Sequence, residues 1–347
     1  MSIQNRISAF YDLGQFFLNY LDFQSSKNDN QDQIDNSFEE FESVLKLAEI
    51  HNPWFTQENL VISLNQWGSA LTKENLDKWV NFYQYASSPK NVGIIMAGNI
   101  PLVGFHDLLS VLLSGHNAWV KSSSKDDVLM NWIIQFLQKT EEEMKSSISK
   151  VEKLQNVDAV IATGSNNTAR YFEFYFKDIP HIIRKNRTSV AVLTGNESEE
   201  DLKNLSKDIF SYFGLGCRNV TKLYIPQNYH IDSLFEAFYD WNPIINHPKY
   251  ANNYDYNRAI YLMGNEAFLD NNFVILREST DLHSPIGVVH YEYYADLNEV
   301  KVHLLEQEEL IQCMVGNDMP IQFGQTQNPS LMDYADGIDT MKFLEGI

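Results

Sequence analysis

From the N-terminus to about residue 88, apolar residues return at three- and four-residue steps, with Ile7, Phe10, Leu13, Phe17 and Leu21 on one helical face. The spacing predicts helices that wrap a core built later in the chain. The stretch from Gln24 to Ser37, QSSKNDNQDQIDNS, is polar and nearly free of apolar residues, which predicts a surface loop or flexible excursion. From Asn91 the pattern changes. Short apolar runs, VGIIMAG (92–98), NAWVK (117–121), VDAVIAT (157–163), TSVAVLT (188–194) and TKLYI (221–225), alternate with stretches of helical period such as DDVLMNWIIQFLQK and SEEDLKNLSKDIFSYF. That alternation predicts an α/β fold with a largely parallel sheet, and Ser198 with Asp201 forms a capping-box signature. The βα run restarts near residues 184–190, which divides the chain into domains of residues 1–187 and 188–347. Beyond residue 290, LNEVKVHLLEQEELIQCMV is expected to be helical, and the tail FGQTQNPSLMDYADGIDTMKFL to dock through its apolar anchors.

A chain of 347 residues exceeds the usual size of one hydrophobic core, in keeping with two domains. With 44% hydrophobic and 13% aromatic residues it has the composition of a globular enzyme. A formal net charge of −20 argues against nucleic acid and anionic membranes as partners, since both require a basic footprint. An anionic ligand then needs local cations or helix N-termini to overcome the global field. Two cysteines far apart make neither a metal-ligand spacing nor a disulfide framework, so no metal is expected and the compartment reads as reducing. No signal-like N-terminus or run of about 18 apolar residues appears, which predicts a cytoplasmic protein without a membrane span.

The dinucleotide fingerprint G-x-G-x-x-G is absent, because after VGIIMAG the turn reads Gly98-Asn99-Ile100-Pro101. Asn99 thereby falls at the carboxyl edge of a strand, where open α/β sheets bind ligands, or else it caps the following helix. Cys217 lies in Gly214-Leu215-Gly216-Cys217-Arg218-Asn219, before the strand TKLYI. Its glycines permit unusual backbone angles that aim a thiol into a cleft. Cys313, within the apolar run LIQCMV, reads as a core residue. Arg218 either turns inward and lowers the thiol pKa or is a solvated surface arginine.

Taken in order, GNIP, a strand ending in Lys121, ATGS at 162–165 and GLGCRN at 214–219 resemble the aldehyde dehydrogenase superfamily over roughly residues 90–290. The closest likeness is to the acyl-CoA reductase branch that includes the fatty acid reductase of bacterial bioluminescence. The resemblance implies two Rossmann-like αβα domains with an N-terminal helical region. The first would bind a nicotinamide dinucleotide and the second would carry the catalytic cysteine. By motif, Cys217 matches the family nucleophile, and Asn99 matches the residue whose amide joins the cysteine N–H in the oxyanion hole. Lys121 matches the lysine that holds the adenosine ribose, and Gly164-Ser165 the turn beside the cofactor phosphates. Three positions after Lys121, where NAD-preferring members carry an acidic residue, stands Ser124, followed by Lys125. This favours NADPH, with NADH as the alternative and with Asp126 and Asp127 close by. The carboxylate that holds the nicotinamide ribose matches Asp281 by its spacing to Pro285, or Glu278 by residue type.

Where hydrolytic relatives place a water-activating glutamate, this chain reads RKNRTSVAVL (184–193), without an acidic residue. An acyl-cysteine is then less readily hydrolysed and persists for thiol exchange or hydride transfer. The resemblance therefore implies NADPH-dependent reduction of an acyl-CoA thioester to an aldehyde through acyl-Cys217, and assembly as a homo-oligomer. The alternatives are reduction of an acyl phosphate or acyl-protein, or a catalytically silent member that serves as a binding subunit.

Overall fold

The computed structural model describes residues 1–26 and 36–347 of the chain. It is an α/β fold in two compact units, residues 1–185 with 330–347 and residues 186–329. Most of the predicted polar excursion lies outside the described residues; its first three residues extend the first helix and its last two begin the second.

The first unit opens with α1 (Ile3–Ser26), α2 (Asn36–His51), α3 (Gln57–Ala70) and α4 (Lys73–Val80). Phe10, Leu13, Phe17 and Tyr20 form the buried stripe of α1. Aromatic rings join α1 and α2 to a later helix, with Phe41 and Trp132 centroids 4.2 Å apart. Thr56 and Thr72 stop the chain between helices, each accepting from the backbone N–H three residues on. Where α1 crosses α3, both surfaces are glycine. A Cβ on Gly14 would lie 2.7 Å from Leu71 Cβ, and one on Gly68 2.8 Å from a Leu18 methyl.

These helices cover a sheet built from β1 (Asn91–Ile95), β2 (Asn117–Lys121), β3 (Ile148–Lys150), β4 (Ala159–Thr163) and β5 (His181–Arg184), with α5 (Phe105–Leu113), α6 (Asp127–Thr140), α7 (Met144–Ser147) and α8 (Asn166–Tyr175) between strands. All pairs are parallel and the order is β3-β2-β1-β4-β5. The chain therefore reverses its direction of winding between β1 and β4, the place where such sheets leave a crevice beyond the strand ends.

The tail closes this unit. His106 Nε2 meets Leu331 O at 3.0 Å, Trp79 Nε1 donates to Tyr334 Oη at 2.7 Å, and His116 Nε2 meets Leu344 O at 2.9 Å. Arg184, at the end of β5, binds both oxygens of Asp107 and donates to Thr340 Oγ1 in the last helix, Thr340–Glu345. The tail docks, as expected, but it departs from the expected division because these bonds hold it to the first unit, while the sequence division kept it with residues 188–329.

The second unit holds β6 (Thr188–Val192), α9 (Glu199–Phe210), β7 (Val220–Pro226), α10 (Asp232–Phe238), α11 (Pro248–Met263), β8 (Leu269–Asp270), β9 (Ile275–Glu278), β10 (Val288–Tyr294), α12 (Leu297–Glu306) and β11 (Ile311–Val315). Its sheet runs β11-β6-β7-β10-β9-β8, parallel except for the β8 edge. Every residue of β6 and all but the last of β7 are buried, as strands covered on both faces require. The capping box of Ser198 and Asp201 is present. The expected long helix ends at Glu306, and Cys313 lies in β11. Ile311, Cys313 and Val315 alternate inward there, and pairing with β6 decides a run too short for periodicity to classify. Among the described residues no helix is long and apolar enough to cross a membrane.

The Arg184–Asp107 pair has side chains only 5% exposed on each partner. Removing one member of such a pair strands a buried charge, so Arg184→Met should lower stability by about 3–5 kcal/mol. Urea unfolding measures it, and an unchanged midpoint would show that the pair does not hold the tail.

Candidate functional site

In the first unit the predicted cofactor residues share one edge. Register pairs Ile95 with Lys121 on one side and with Ala162 on the other, so the turns after β1, β2 and β4 leave the sheet side by side. Lys121, Ser124, Lys125 and Ser165 are exposed there. Ser165 caps α8 by accepting from Thr168 N–H at 3.3 Å, which sets the positive end of a ten-residue helix at the winding reversal. At Gly164 the packing is tight, since a Cβ would lie 3.1 Å from the Thr168 side chain and 3.2 Å from the Phe172 ring. A helix N-terminus, two exposed lysines and a glycine turn suit an anionic dinucleotide. The two aspartates beside Lys125 are otherwise engaged: Asp127 pairs with Lys150 at 2.7 Å and accepts from Ser122 and Asn131, and Asp126 is buried.

Asn99 does not cap α5. The N-cap is Gly104, without a side-chain bond, and the backbone between them includes a left-handed Leu102 at φ 59°. Leu102 N–H donates to Asp126 Oδ2 at 2.9 Å. Burial pushes the Asp126 carboxyl up to about 8, against the lowering effect of that N–H, with Asp127 adding repulsion.

In the second unit Cys217 is half-buried between α9 and β7. Helix α9 ends at Phe210, and Tyr212, Phe213 and Gly214 follow at φ 53°, 58° and 75°. Three consecutive left-handed residues would leave the helix-end carbonyls unpaired, and Asn219 answers this. Its Nδ2 lies 3.1, 3.3 and 2.8 Å from the carbonyl oxygens of Asp208, Ile209 and Ser211, and its Oδ1 accepts from Gly216 N–H at 2.8 Å. Ser189 Oγ donates to Cys217 O at 2.9 Å, so the backbone of Cys217 is tied to β6 as well. Arg218 is turned inward rather than solvated, its Nη1 donating to Cys313 Sγ and Thr326 O, each at 3.4 Å.

Asp281 is exposed, as is Glu278 at the end of β9. The segment that carries Asp281 is bound to the sheet by three polar side chains that sequence reasoning passed over. Lys222 donates to Ser279 O and to Glu292 at 2.7 Å, Thr221 Oγ1 donates to Leu282 O at 2.8 Å, and His290 Nδ1 meets Asp281 O at 3.0 Å. Burial lowers the pKa of both Lys222 and His290, with Glu292 opposing the effect on the lysine. Their sequence signal was a lysine inside the apolar run TKLYI and a histidine inside VVHYEYY.

A family model described as acyl-CoA reductase (LuxC) matches residues 3–233. Comparison with curated proteins gives no match. Among solved structures, aldehyde dehydrogenase 21 from Physcomitrella patens, in complex with its reaction product succinate, aligns at 12% identity and TM-score 0.67 over 100% of this chain and 84% of that one. The NAD+ complex of aldehyde dehydrogenase from Bacillus cereus aligns at 12% and 0.59, over 91% and 72% of the two chains. The NAD-dependent aldehyde dehydrogenase from Sinorhizobium meliloti aligns at 10% and 0.64, over 94% and 72%. Likeness at such identity establishes the shared fold.

Two outcomes follow from the buried polar groups. Asn219→Ala leaves helix-end carbonyls unpaired, so stability should fall by about 2–3 kcal/mol and Cys217 should alkylate faster with iodoacetamide. An unchanged urea midpoint would remove Asn219 from this role. For Asp126, the folded chain keeps a proton that the unfolded chain releases above about pH 4. Raising the pH toward 8 therefore favours the unfolded state, by up to about 1.4 kcal/mol per pH unit from this group. Thermal scans between pH 5 and 8 should show that slope in the native chain and a shallower one in Asp126→Asn; equal slopes would contradict it.

Proposed function

Because the chain belongs to the acyl-CoA reductase (LuxC) family of the aldehyde dehydrogenase superfamily, whose members are oxidoreductases of acyl and aldehyde groups, we propose that it reduces an acyl-CoA thioester to the aldehyde with NADPH through acyl-Cys217. The observation that carries this reading is the loop held by Asn219, which fixes a half-buried thiol just ahead of a buried strand. A nucleophile whose backbone is already ordered loses little freedom on attack.

In the proposed cycle the Cys217 thiolate attacks the thioester carbonyl carbon, and negative charge moves to oxygen. The family resemblance assigns its donors to the Asn99 amide and the Cys217 N–H, a donor of this kind being worth on the order of 3 kcal/mol in a dry site. Collapse breaks the bond to the CoA sulfur, which leaves as a thiolate and takes up a proton. The nicotinamide cofactor supplies a hydride to the acyl carbon when bound. The resulting thiohemiacetal anion collapses, its carbon–sulfur bond breaking to release aldehyde and return the Cys217 thiolate.

The segment 184–193 supports reduction over hydrolysis. Arg184 is committed to Asp107 and residues 188–192 are a buried strand, so this segment contributes no carboxylate to activate water. For the cofactor, the reading assigns Lys121 and Ser124 to the adenosine ribose, Lys125 to the 2′-phosphate, Gly164 and Ser165 to the pyrophosphate, and Asp281 to the nicotinamide ribose. The burial of Asp126 and the pairing of Asp127 with Lys150 favour a 2′-phosphate beside Lys125.

With purified protein, NADPH and a panel of acyl-CoAs, reduced-cofactor absorbance should fall as aldehyde is trapped, and Cys217→Ala should lose at least a thousandfold in kcat. Radiolabelled acyl groups should attach to the native chain and not to the variant. Turnover unaffected by Cys217→Ala sinks the mechanism, and turnover of acyl phosphate alone changes the substrate. In parallel runs, Lys125→Glu should shift the NADPH-to-NADH ratio of kcat/KM toward NADH by about tenfold or more; an unmoved ratio removes Lys125 from the cofactor site.

A further inference from the structure

The turn from Gly98 to Leu102 is tied at both ends by buried side chains from elsewhere in the first unit. Asn52 Nδ2 donates to Gly98 O at 3.3 Å, Ser63 Oγ donates to Pro101 O at 3.2 Å, and Asp126 Oδ2 accepts from Leu102 N–H at 2.9 Å. Asn52, Ser63 and Asp126 are 3%, 1% and 5% exposed, so these ties are shielded from water. Asn99 and Ile100 lie between the tied residues.

Asp126 differs from the other two in what it gives up. It stands at the N-cap of α6, where an aspartate ordinarily accepts from the first turn of its own helix, yet it makes no side-chain cap bond. The carboxyl turns instead to Leu102, a residue in the left-handed region, whose conformation costs a non-glycine residue about 1–2 kcal/mol and persists only when its surroundings hold it. The other oxygen, Oδ1, is buried without a hydrogen-bond partner. Gly98 packs on the same loop, where a Cβ would lie 2.6 Å from Ser123 Oγ and 3.2 Å from Asp126 N. A side chain that forgoes its own helix cap and leaves one oxygen unsatisfied accounts for itself through the turn it holds.

We propose that Asp126 is a positioning residue that fixes the backbone of the 98–102 turn and so the direction in which Asn99 presents its amide. The proposal rests on the reading of Asn99 as the oxyanion donor. Because burial keeps the acid neutral near pH 7, the tie brings no negative charge to a turn that serves to receive one.

The test combines kinetics with hydrogen exchange of the peptide spanning 98–104 in Asp126→Ala, Asp126→Asn, Asn99→Ala and the double variant Asp126→Ala/Asn99→Ala. Asp126→Ala should speed exchange at the Leu102 amide and lower kcat by about 10–100-fold with little change in either KM. Asp126→Asn, neutral and still an acceptor, should recover most of both losses. Asn99→Ala should lower kcat by about 10²–10³-fold, and adding Asp126→Ala should then cost nothing further. Unchanged exchange in Asp126→Ala, or an equal loss of kcat in both backgrounds, overturns the proposal. Faster exchange with full activity in both single variants upholds the tie and instead removes Asn99 from the proposed chemistry. Should Asp126→Ala not fold, Asp126→Ser carries the same test, its hydroxyl being too short to reach Leu102.

Discussion

The Asn219 amide pairs with both the end of α9 and, through Gly216 N–H, the loop ahead of β7, and the placement of Cys217 depends on that pairing. A helix that stops in three left-handed residues exposes carbonyls which water cannot reach in a buried corner, and each unpaired one costs on the order of 1–3 kcal/mol. Asparagine suits the position because it donates and accepts at once. Aspartate has no N–H to offer the carbonyls, and glutamine is a methylene longer. With Ser189 holding the Cys217 carbonyl, the loop geometry is set by hydrogen bonds that do not involve the thiol.

The same physics recurs wherever a loop of functional interest leaves a sheet. The central strands of both sheets are apolar because both faces are covered, so polar groups that order the loops sit at strand ends or at isolated positions within strands. Asp126 holds the turn after β1, Lys222 and His290 hold the segment after β9, and Asp208 accepts from Gly324 N–H and from Thr326 N–H and Oγ1. Burying such groups is unfavourable unless their hydrogen bonds are made, which restricts the loops to the few conformations that make them.

The acidity of the chain and an anionic ligand are compatible on this arrangement. At physiological ionic strength exposed charges are screened within about 8 Å, so the field at the first sheet edge is decided by its immediate neighbours. Those are Lys121, Lys125 and the positive end of α8, while Asp127 is paired with Lys150 and Asp126 is withdrawn into the core.

Hydrophobic periodicity identified the α/β alternation, five of the strands and the N-terminal helices, because a buried face imposes its period on the chain directly. The likeness in motif order named Cys217, Asn99, Lys121 and the Gly164-Ser165 turn as site residues. The strand at Cys313, the tail bound through Tyr334 and Thr340 to the first unit, and the inward course of Arg218 were not legible, since each depends on a partner more than 90 residues away. Asp126 and Asn219 are ordinary letters in the chain, and Lys222 and His290 stand out only as single polar residues inside apolar runs. Only the tertiary structure buries them, and burial is what turns a polar side chain into one that must find a backbone partner and fix the loop it meets.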